Sequence, residues 1–388
     1  MTTSKATREQ LRRHNRQLML HAVYSGLADN RAALAQETGL AKPTVSDLIG
    51  ELIDEGLLIE VGRGQSTDSG GKRPTLLQFV PDARQVIGIS LDVDRVRGVL
   101  CNMAGKIIAQ HHANLLDIEG HPVIAIVQHV INGLIAQLDA PLLCIGIGVP
   151  GIVENSVGVV RYAPQFGWQN LPLAEILTDC FQVPVYVANK AEMAAMGQFA
   201  FGMPNDSRSP VVVLLNSTIE IGMVLGGAIY HNGGDISSLH VSRHIGQHSE
   251  TGRLETFLSW PYLKRRAELL RQEHPNTTLP VTGLTFMHMQ YAALHGDVAA
   301  QILVEEITDI LAQVFSWIIA MLRPDHISLA GGIVDLGETV LNRIMDKAES
   351  LVQPELVQSV KFSLAESYEL SALGAVAEAL QNELRLVR

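Results

Sequence analysis

Apolar and polar positions follow two different rhythms along this chain. From Arg8 to Tyr24 the apolar residues Leu11, Leu18, Leu20, Ala22 and Val23 lie in a charged stretch, which predicts an amphipathic helix ended near Gly26. Ala32, Leu34 and Ala35 predict a short second helix closed by Gly39. A third starts near Lys42-Pro43, proline suiting a first helical turn where its missing N–H costs nothing. Val45, Leu48, Ile49, Leu52 and Ile53 repeat at three- and four-residue spacing and predict its buried stripe. Two β-like runs follow, 57–61 and 75–79, joined by a glycine-rich loop.

From Arg84 onward the rhythm changes to strands alternating with helices. Val86–Leu91, Val96–Cys101 and Lys106–Gln110 read as a three-strand meander, and His121–Leu138 as a helix. Leu142–Gly148 and Val183–Val187 are continuous apolar runs of the kind found in a sheet covered on both faces. A second meander begins at Pro210 and echoes the first, so two related lobes are expected. A long helix over Asp297–Leu322, a strand over His326–Leu329, a turn at Gly331-Gly332 and a closing helix over Ser371–Leu384 complete the pattern. These rhythms divide the chain into a head, 1–80, and a body, 84–388. Within the body, lobe one takes about 84–200 plus the C-terminal helix, and lobe two about 205–368.

Charge changes this picture only when it is divided the same way. The whole chain carries 29 Lys+Arg against 40 Asp+Glu, a formal net charge of −11, which taken alone argues against nucleic acid. Residues 1–80 hold 10 basic and 9 acidic residues, net +1, which leaves 19 and 31, net −12, for the rest. The acidity belongs to the body. Cys101, Cys144 and Cys180 lie far apart, which excludes a disulfide framework or a cysteine zinc knuckle and fits a reducing compartment. The first residues are polar and charged, without the apolar core of a signal peptide, and no run of 18 apolar residues occurs. A cytoplasmic protein without a membrane partner is expected.

Two short helices joined by a glycine turn make a helix-turn-helix, whose second helix reads base edges in the major groove. The candidate DNA-binding residues are therefore Lys42, Pro43, Thr44, Ser46 and Asp47 at the start of that helix. Arg63, Lys72 and Arg73 in and beside the loop 62–74 make a basic wing suited to phosphates. Double-stranded operator DNA is the expected partner. A three-helix bundle used only for protein contacts is the alternative.

The body resembles the ROK family, which groups repressors and sugar kinases, and the resemblance lies closest to its xylose/N-acetylglucosamine-repressor type. It rests on Gly148-Val149-Pro150-Gly151 with Gly158, on Ala163-Pro164 and on Gly167-Trp168-Gln169-Asn170. Val187-Ala188-Asn189-Lys190-Ala191-Glu192, Arg253-Leu254-Glu255-Thr256 and Ala330-Gly331-Gly332 also carry it. The fold it implies is α/β: a winged helix-turn-helix followed by a two-lobed, actin-like (ribonuclease H-like) body, in a homodimer or tetramer.

The chemistry of a ROK kinase is missing from these segments. Where the family has an Asp followed by a Gly-Gly-Thr turn, this chain has Asp92-Val93-Asp94-Arg95-Val96. The second phosphate turn reads Ser217-Thr218-Ile219-Glu220-Ile221-Gly222, again with glycines lost and a carboxylate gained. Each carboxylate beside a phosphate costs roughly 1–4 kcal/mol. The family's general base, an Asp after an Asn, is replaced by Lys190, and a protonated lysine accepts no proton. No catalytic residue and no cofactor are expected. A ligand-independent DNA-binding regulator and an active sugar kinase are the alternatives.

For an effector the resemblance implies a sugar or sugar-derived molecule held near Asn170, Asn189, Lys190, Ser237, His240 and Glu255. Lys190 suggests a phosphate or carboxylate on that effector, unless it pairs internally with Glu192, Asp235 or Glu255. The family's zinc, held by one His and three Cys, finds Gly246, His248 and Arg253 where the cysteines belong. His240, His244 and His248 offer a different donor set, but no metal is expected.

Overall fold

The computed structural model describes residues 8–64, 73–115, 120–202, 207–216, 218–231, 236–245, 248–365 and 369–386. Three helices open the chain: α1 (Arg8–Tyr24), α2 (Arg31–Thr38) and α3 (Lys42–Asp54). Asn30 caps α2, its side chain accepting from the amides of Ala32 and Ala33, and Gly39 ends that helix at φ 68°. Val45, Leu48, Ile49 and Leu52 of α3 meet Met19, Leu20 and Val23 of α1 and Leu34 of α2 in one apolar core. An antiparallel hairpin, β1 (Leu58–Arg63) and β2 (Thr75–Phe79), follows, and Asn30 bridges to Leu76 beside it. Burial of one face of each short element against the others is what stabilises a bundle this small.

The first lobe is built from β3 (Gln85–Leu91), β4 (Arg95–Asn102), β5 (Ile107–Asn114), α4 (His121–Ile135) and β6 (Leu142–Val149). It continues with a small sheet of β7 (Ile152–Glu154), β8 (Val159–Ala163) and β9 (Trp168–Leu171), then α5 (Leu173–Phe181), β10 (Val185–Asn189) and α6 (Lys190–Gly197). The second lobe has β11 (Pro210–Leu215), β12 (Ile219–Leu225) and β13 (Ala228–Ile229), then a separate hairpin of β14 (His240–Ile245) and β15 (His248–Arg253). Helices α7 (Leu254–Leu258), α8 (Trp260–Glu273), α9 (Phe286–Leu294) and α10 (Val298–Leu322) lead to β16 (His326–Ala330). Then come α11 (Gly337–Leu351), α12 (Pro354–Val357), β17 (Lys361–Leu364) and α13 (Leu370–Leu384).

The main sheets share one plan. Their orders are β10-β6-β3-β4-β5 and β13-β12-β11-β16-β17. In each, the first three strands run antiparallel and the last two parallel to the first. Parallel neighbours need long crossovers, which α4, α5, α10 and α11 with their neighbours supply. The meander echo in the sequence is thus a repeat of topology. β5 runs on to Asn114, past its apolar part, because at the sheet edge its positions alternate in burial. The predicted third strand of the second meander shrinks to Ala228–Ile229.

α6 and α13 pack on each other between the sheets, and small residues permit it. A Cβ on Gly374 of α13 would stand 1.5 Å from the Met193 carbonyl oxygen, and one on Gly197 of α6 would stand 2.5 Å from that of Leu370. The C-terminal end of α13 then meets the N-terminal bundle. Gln17 donates to the Glu383 carbonyl (2.8 Å), the His21 ring pairs with the Arg385 carbonyl (2.9 Å), and Tyr186 of β10 hydrogen-bonds the Glu383 carboxylate. Met19, Leu20 and Leu58 share one core with Val86, Val99, Val376 and Leu380, so bundle, first sheet and α13 are packed continuously.

Candidate functional site

Two surfaces gather the residues singled out by sequence. On the N-terminal bundle, Lys42, Pro43, Thr44, Ser46 and Asp47 are all exposed, while Val45, Leu48 and Ile49 face inward. Ala41, which precedes α3, makes no side-chain cap, so the first amides of the helix have no side-chain acceptor at the cap. Arg63 at the end of β1 and Arg73 before β2 are exposed too. Lys72 lies outside the described residues.

The second surface is where strands of the two lobes end. In α/β sheets ligands bind outside the carboxyl ends of the parallel strands. Here β3 delivers Asp92, β6 delivers Pro150-Gly151, β10 delivers Lys190, β11 delivers Asn216 and β16 delivers Gly331-Gly332. Asp92 and Asn216 occupy equivalent places in the repeated plan, and they touch: the Asn216 amide nitrogen is 3.3 Å from both Asp92 oxygens. The Asn216 oxygen accepts from the Gly332 amide at 2.7 Å.

Lys190 stands at the centre of this contact. As the first residue of α6 its side chain is only 1% exposed, and its Nζ lies 2.7 Å from Asp92 Oδ1 and 3.6 Å from Glu220 Oε1. Thr218 Oγ1 is 3.5 Å from the same nitrogen. Arg97 donates to the other Asp92 oxygen at 3.0 Å. Thr218 donates to Glu220 at 2.9 Å, and Asn189 reaches Glu220 at 3.3 Å and the Gly151 carbonyl at 2.9 Å. Burial by itself would lower the lysine pKa, but the carboxylates of Asp92 and Glu220 overcome it and raise it well above the usual lysine value. Burial pushes Asp92 up, and Lys190, then Arg97 and Asn216, outweigh it, holding its carboxyl below the usual range.

This geometry corrects several expectations. Lys190 pairs internally, but with Asp92 and Glu220 rather than Glu192 or Glu255, and Asp235 lies outside the described residues. The carboxylate turned into the cleft is Asp92; Asp94 lies at the surface, bonded to Arg95 at 2.9 Å. Glu220 sits within β12, opposite Leu214, rather than in a turn. Nothing in the sequence drew attention to Asn216, Arg97 or Gly332 as a group, because 92, 97, 190, 216, 220 and 332 meet only in three dimensions.

A second contact joins the lobes nearby. Glu192, 4% exposed at its side chain, lies 2.9 Å from His231 Nδ1, and Asn155 Nδ2 lies 3.0 Å from Glu192 and 2.6 Å from His231. The hydrogen bond that the His231 ring donates to Glu192 raises the His231 pKa against the opposing effect of burial, helped by the charges of Glu192 and Glu378.

The remaining candidates are dispersed. Asn170 is exposed at φ 50° and accepts from Arg161 at 3.0 Å. Ser237 and Glu255 are joined through backbone, the Glu255 amide donating to the Ser237 carbonyl at 2.9 Å, and His240 starts β14 opposite Arg253. The zinc donor set does not fit. Glycine and arginine supply no zinc donor at two of the three cysteine positions, Arg253 pairs with Glu255 at 3.5 Å, and Gly246 lies outside the described residues. No cluster of three or more His, Cys, Asp or Glu suited to a metal occurs among the described residues. No helix of the described residues is long and apolar enough to cross a membrane.

A model of the ROK family matches residues 86–382. This chain belongs to the ROK family. It is 28% identical over 372 residues to the xylose repressor of Bacillus spizizenii, covering 94% of this chain and 93% of that one. It is 25% identical over 368 residues to the DNA-binding transcriptional dual regulator NagC of Escherichia coli K12, covering 90% and 87%. Among solved structures, a ROK transcriptional regulator homologous to the E. coli MLC protein superposes with a TM-score of 0.79 at 20% identity, covering 97% of this chain and 98% of that chain. A ROK glucokinase from Streptomyces griseus, in complex with glucose and AMPPNP, gives 0.67 at 20% identity, covering 76% of this chain and 99% of its own. The ROK fold is therefore shared with a regulator over nearly the whole chain, and with a kinase over the part that a kinase needs.

Proposed function

We propose that this ROK protein is a DNA-binding transcriptional regulator of carbohydrate-related genes, with a kinase-like body that transfers no phosphoryl group. The observation that carries the second half is the Lys190 Nζ–Asp92 contact of 2.7 Å in a buried cleft. A general base must accept a proton near neutral pH, and a lysine held above its usual pKa by two carboxylates does not. The relatives named xylose repressor and DNA-binding transcriptional dual regulator NagC, matched over 93% and 87% of their own length, support the first half.

In this reading residues 1–80 form the DNA-binding head and 84–388 the effector body, divided near 200 into two lobes with the C-terminal helix joining the first. Lys42, Thr44, Ser46 and Asp47 face base edges of a double-stranded operator, and Arg63, Lys72 and Arg73 its phosphates. The effector is a neutral carbohydrate held between the lobes by Asn189 with Asn170, Ser237, His240 and Glu255, because the charge of Lys190 is already matched. The path to the head runs through α6, α13 and the Glu383 contacts with Gln17 and Tyr186. The chain acts in the cytoplasm as a homodimer or tetramer, so operator half-sites lie about one helical turn apart or a multiple of it.

Genome-wide mapping of bound DNA tests the head, followed by binding assays of the recovered fragments across salt concentrations. Affinity falling steeply with salt is expected, and a flat response contradicts the assignment. A coupled ATP assay over hexoses and pentoses tests the body, with no turnover expected. The closed polar contact across the cleft also favours a second reading, a regulator that takes no effector. D-xylose and N-acetylglucosamine titrations of the DNA complex separate the two, since a shift in DNA affinity requires an effector.

A further inference from the structure

We infer that a buried ion cluster centred on Arg243 fastens the β14–β15 hairpin to lobe two, in the part of the chain where the ROK resemblance calls for zinc. The alternation of β14 turns Val241 and Arg243 inward, and both are buried. An arginine at an inward strand position must bring its partners with it. Arg243 has them at both terminal guanidinium nitrogens, while its buried Nε finds no hydrogen-bond partner among the described residues. It donates to Glu306 of α10 at 2.8 Å and to Glu250, its cross-strand neighbour on β15, at 2.9 Å. Its guanidinium carbon stands 5.1 Å from the Tyr262 ring centroid and 5.5 Å from that of Phe257, within cation–π range. Glu306 is matched again by Arg266 of α8, through three contacts of 2.7 to 3.1 Å. Farther along α10, the Gln313 amide donates to the Ser242 carbonyl at 2.9 Å and accepts from the Ser242 amide at 3.3 Å.

One strand is thereby tied to β15, α7, α8 and α10 by two guanidinium groups and two carboxylates whose charges balance. A structural metal does the same work by drawing a loop and the following helix onto one centre. Here the donors for a metal are absent at two positions, and the cluster supplies the constraint. The end of the hairpin carries Ser237, His240 and Glu255, tied by Leu254 N to Leu239 O at 2.7 Å and Glu255 N to Ser237 O at 2.9 Å. Arg243 thus acts as a positioning residue for those groups, a step that rests on the effector reading.

Hydrogen exchange of the full-length, untagged protein tests the cluster. Protection of 240–253 should be the same with and without EDTA. Arg243→Met should raise exchange there by roughly tenfold or more while β3 and β6 stay protected, and Arg243→Lys should recover part of it. Should Arg243→Met fail to fold, Glu250→Gln, at the half-exposed end of the cluster, should give a smaller change in the same segment. Loss of protection on chelation, or unchanged exchange in the variants, would overturn the inference. D-xylose titration followed by tryptophan fluorescence tests the positioning step. Weaker xylose binding by Arg243→Met at unchanged DNA affinity, partly restored in Arg243→Lys, is expected, and equal xylose affinity would refute that step. If the wild type binds neither D-xylose nor N-acetylglucosamine, the effector reading and the positioning step fall together, while the exchange result still decides the cluster.

Discussion

Lys42 and Lys190 occupy the same local position and meet opposite fates. Each is the first residue of a helix, after a residue at nearly the same extended angles: φ −63°, ψ 139° at Ala41 and φ −66°, ψ 139° at Asn189. A helix N-terminus carries positive partial charge, so a lysine there is opposed by the dipole. At Lys190 the opposition is met by Asp92 and Glu220, and the Asn189 side chain caps the Ala191 and Glu192 amides. At Lys42 it is left standing: the lysine is exposed, and no side chain caps the helix. An internally matched lysine holds a structure closed, and an unmatched one beside free amides awaits an external anion.

The largest effect that would break this contrast is at Lys190. Lys190→Met leaves Asp92 buried with only Arg97 and Asn216, and removal of one partner of a buried pair costs about 3–5 kcal/mol. Urea unfolding should show that loss, and Lys190→Met combined with Asp92→Leu should recover much of it, because apolar replacement removes the stranded charge. A loss below about 0.5 kcal/mol in the single variant, the level of an ordinary surface change, would mean the pair does not hold the lobes.

Lys42→Ala should behave in the opposite way. Stability should change by no more than about 0.5 kcal/mol, while operator affinity falls by about 1–3 kcal/mol and discrimination against unrelated DNA shrinks. Destabilisation comparable to that of Lys190→Met would erase the distinction between the two lysines.

The contact of His231 with Glu192 and Asn155 sharpens the comparison, since it too joins the lobes but lies partly in solvent. Its pKa is raised by Glu192, so its stabilising contribution is complete below the ordinary histidine value near 6.5. That contribution is lost as pH rises through the raised value. The melting temperature should therefore fall as pH rises above about 6.5, and His231→Gln should flatten that fall. A steeper fall in the variant would reverse the sign and refute the assignment.

These residues also mark how far sequence could reach. The buried runs of β3, β6, β10, β11 and β16 were legible because a covered parallel strand is apolar throughout. The α3 stripe at 45, 48, 49 and 52 was legible because helical period and Gly39 agree. The small sheet β7–β9 was not, since its strands are short and its exposed positions include Ile152 and Tyr162, which break the usual alternation. Lys190 was visible as a departure from the ROK motif, yet its partners were not. They arrive from the ends of β3 and from β12 by way of the repeat, a relation between strands rather than between neighbours in sequence.

The smallest change tests the uncapped helix itself. Ala41→Ser would supply the side-chain acceptor that Asn189 gives α6 and Ala41 does not give α3. A good cap contributes about 0.5–2 kcal/mol over alanine, so thermal unfolding should shift upward slightly. If the free amides of α3 meet a DNA phosphate, the same hydroxyl competes for them, and DNA affinity should fall by a few-fold even as stability rises. Stability and DNA binding rising together would show that those amides face no phosphate, and that Lys42 acts without the helix end behind it.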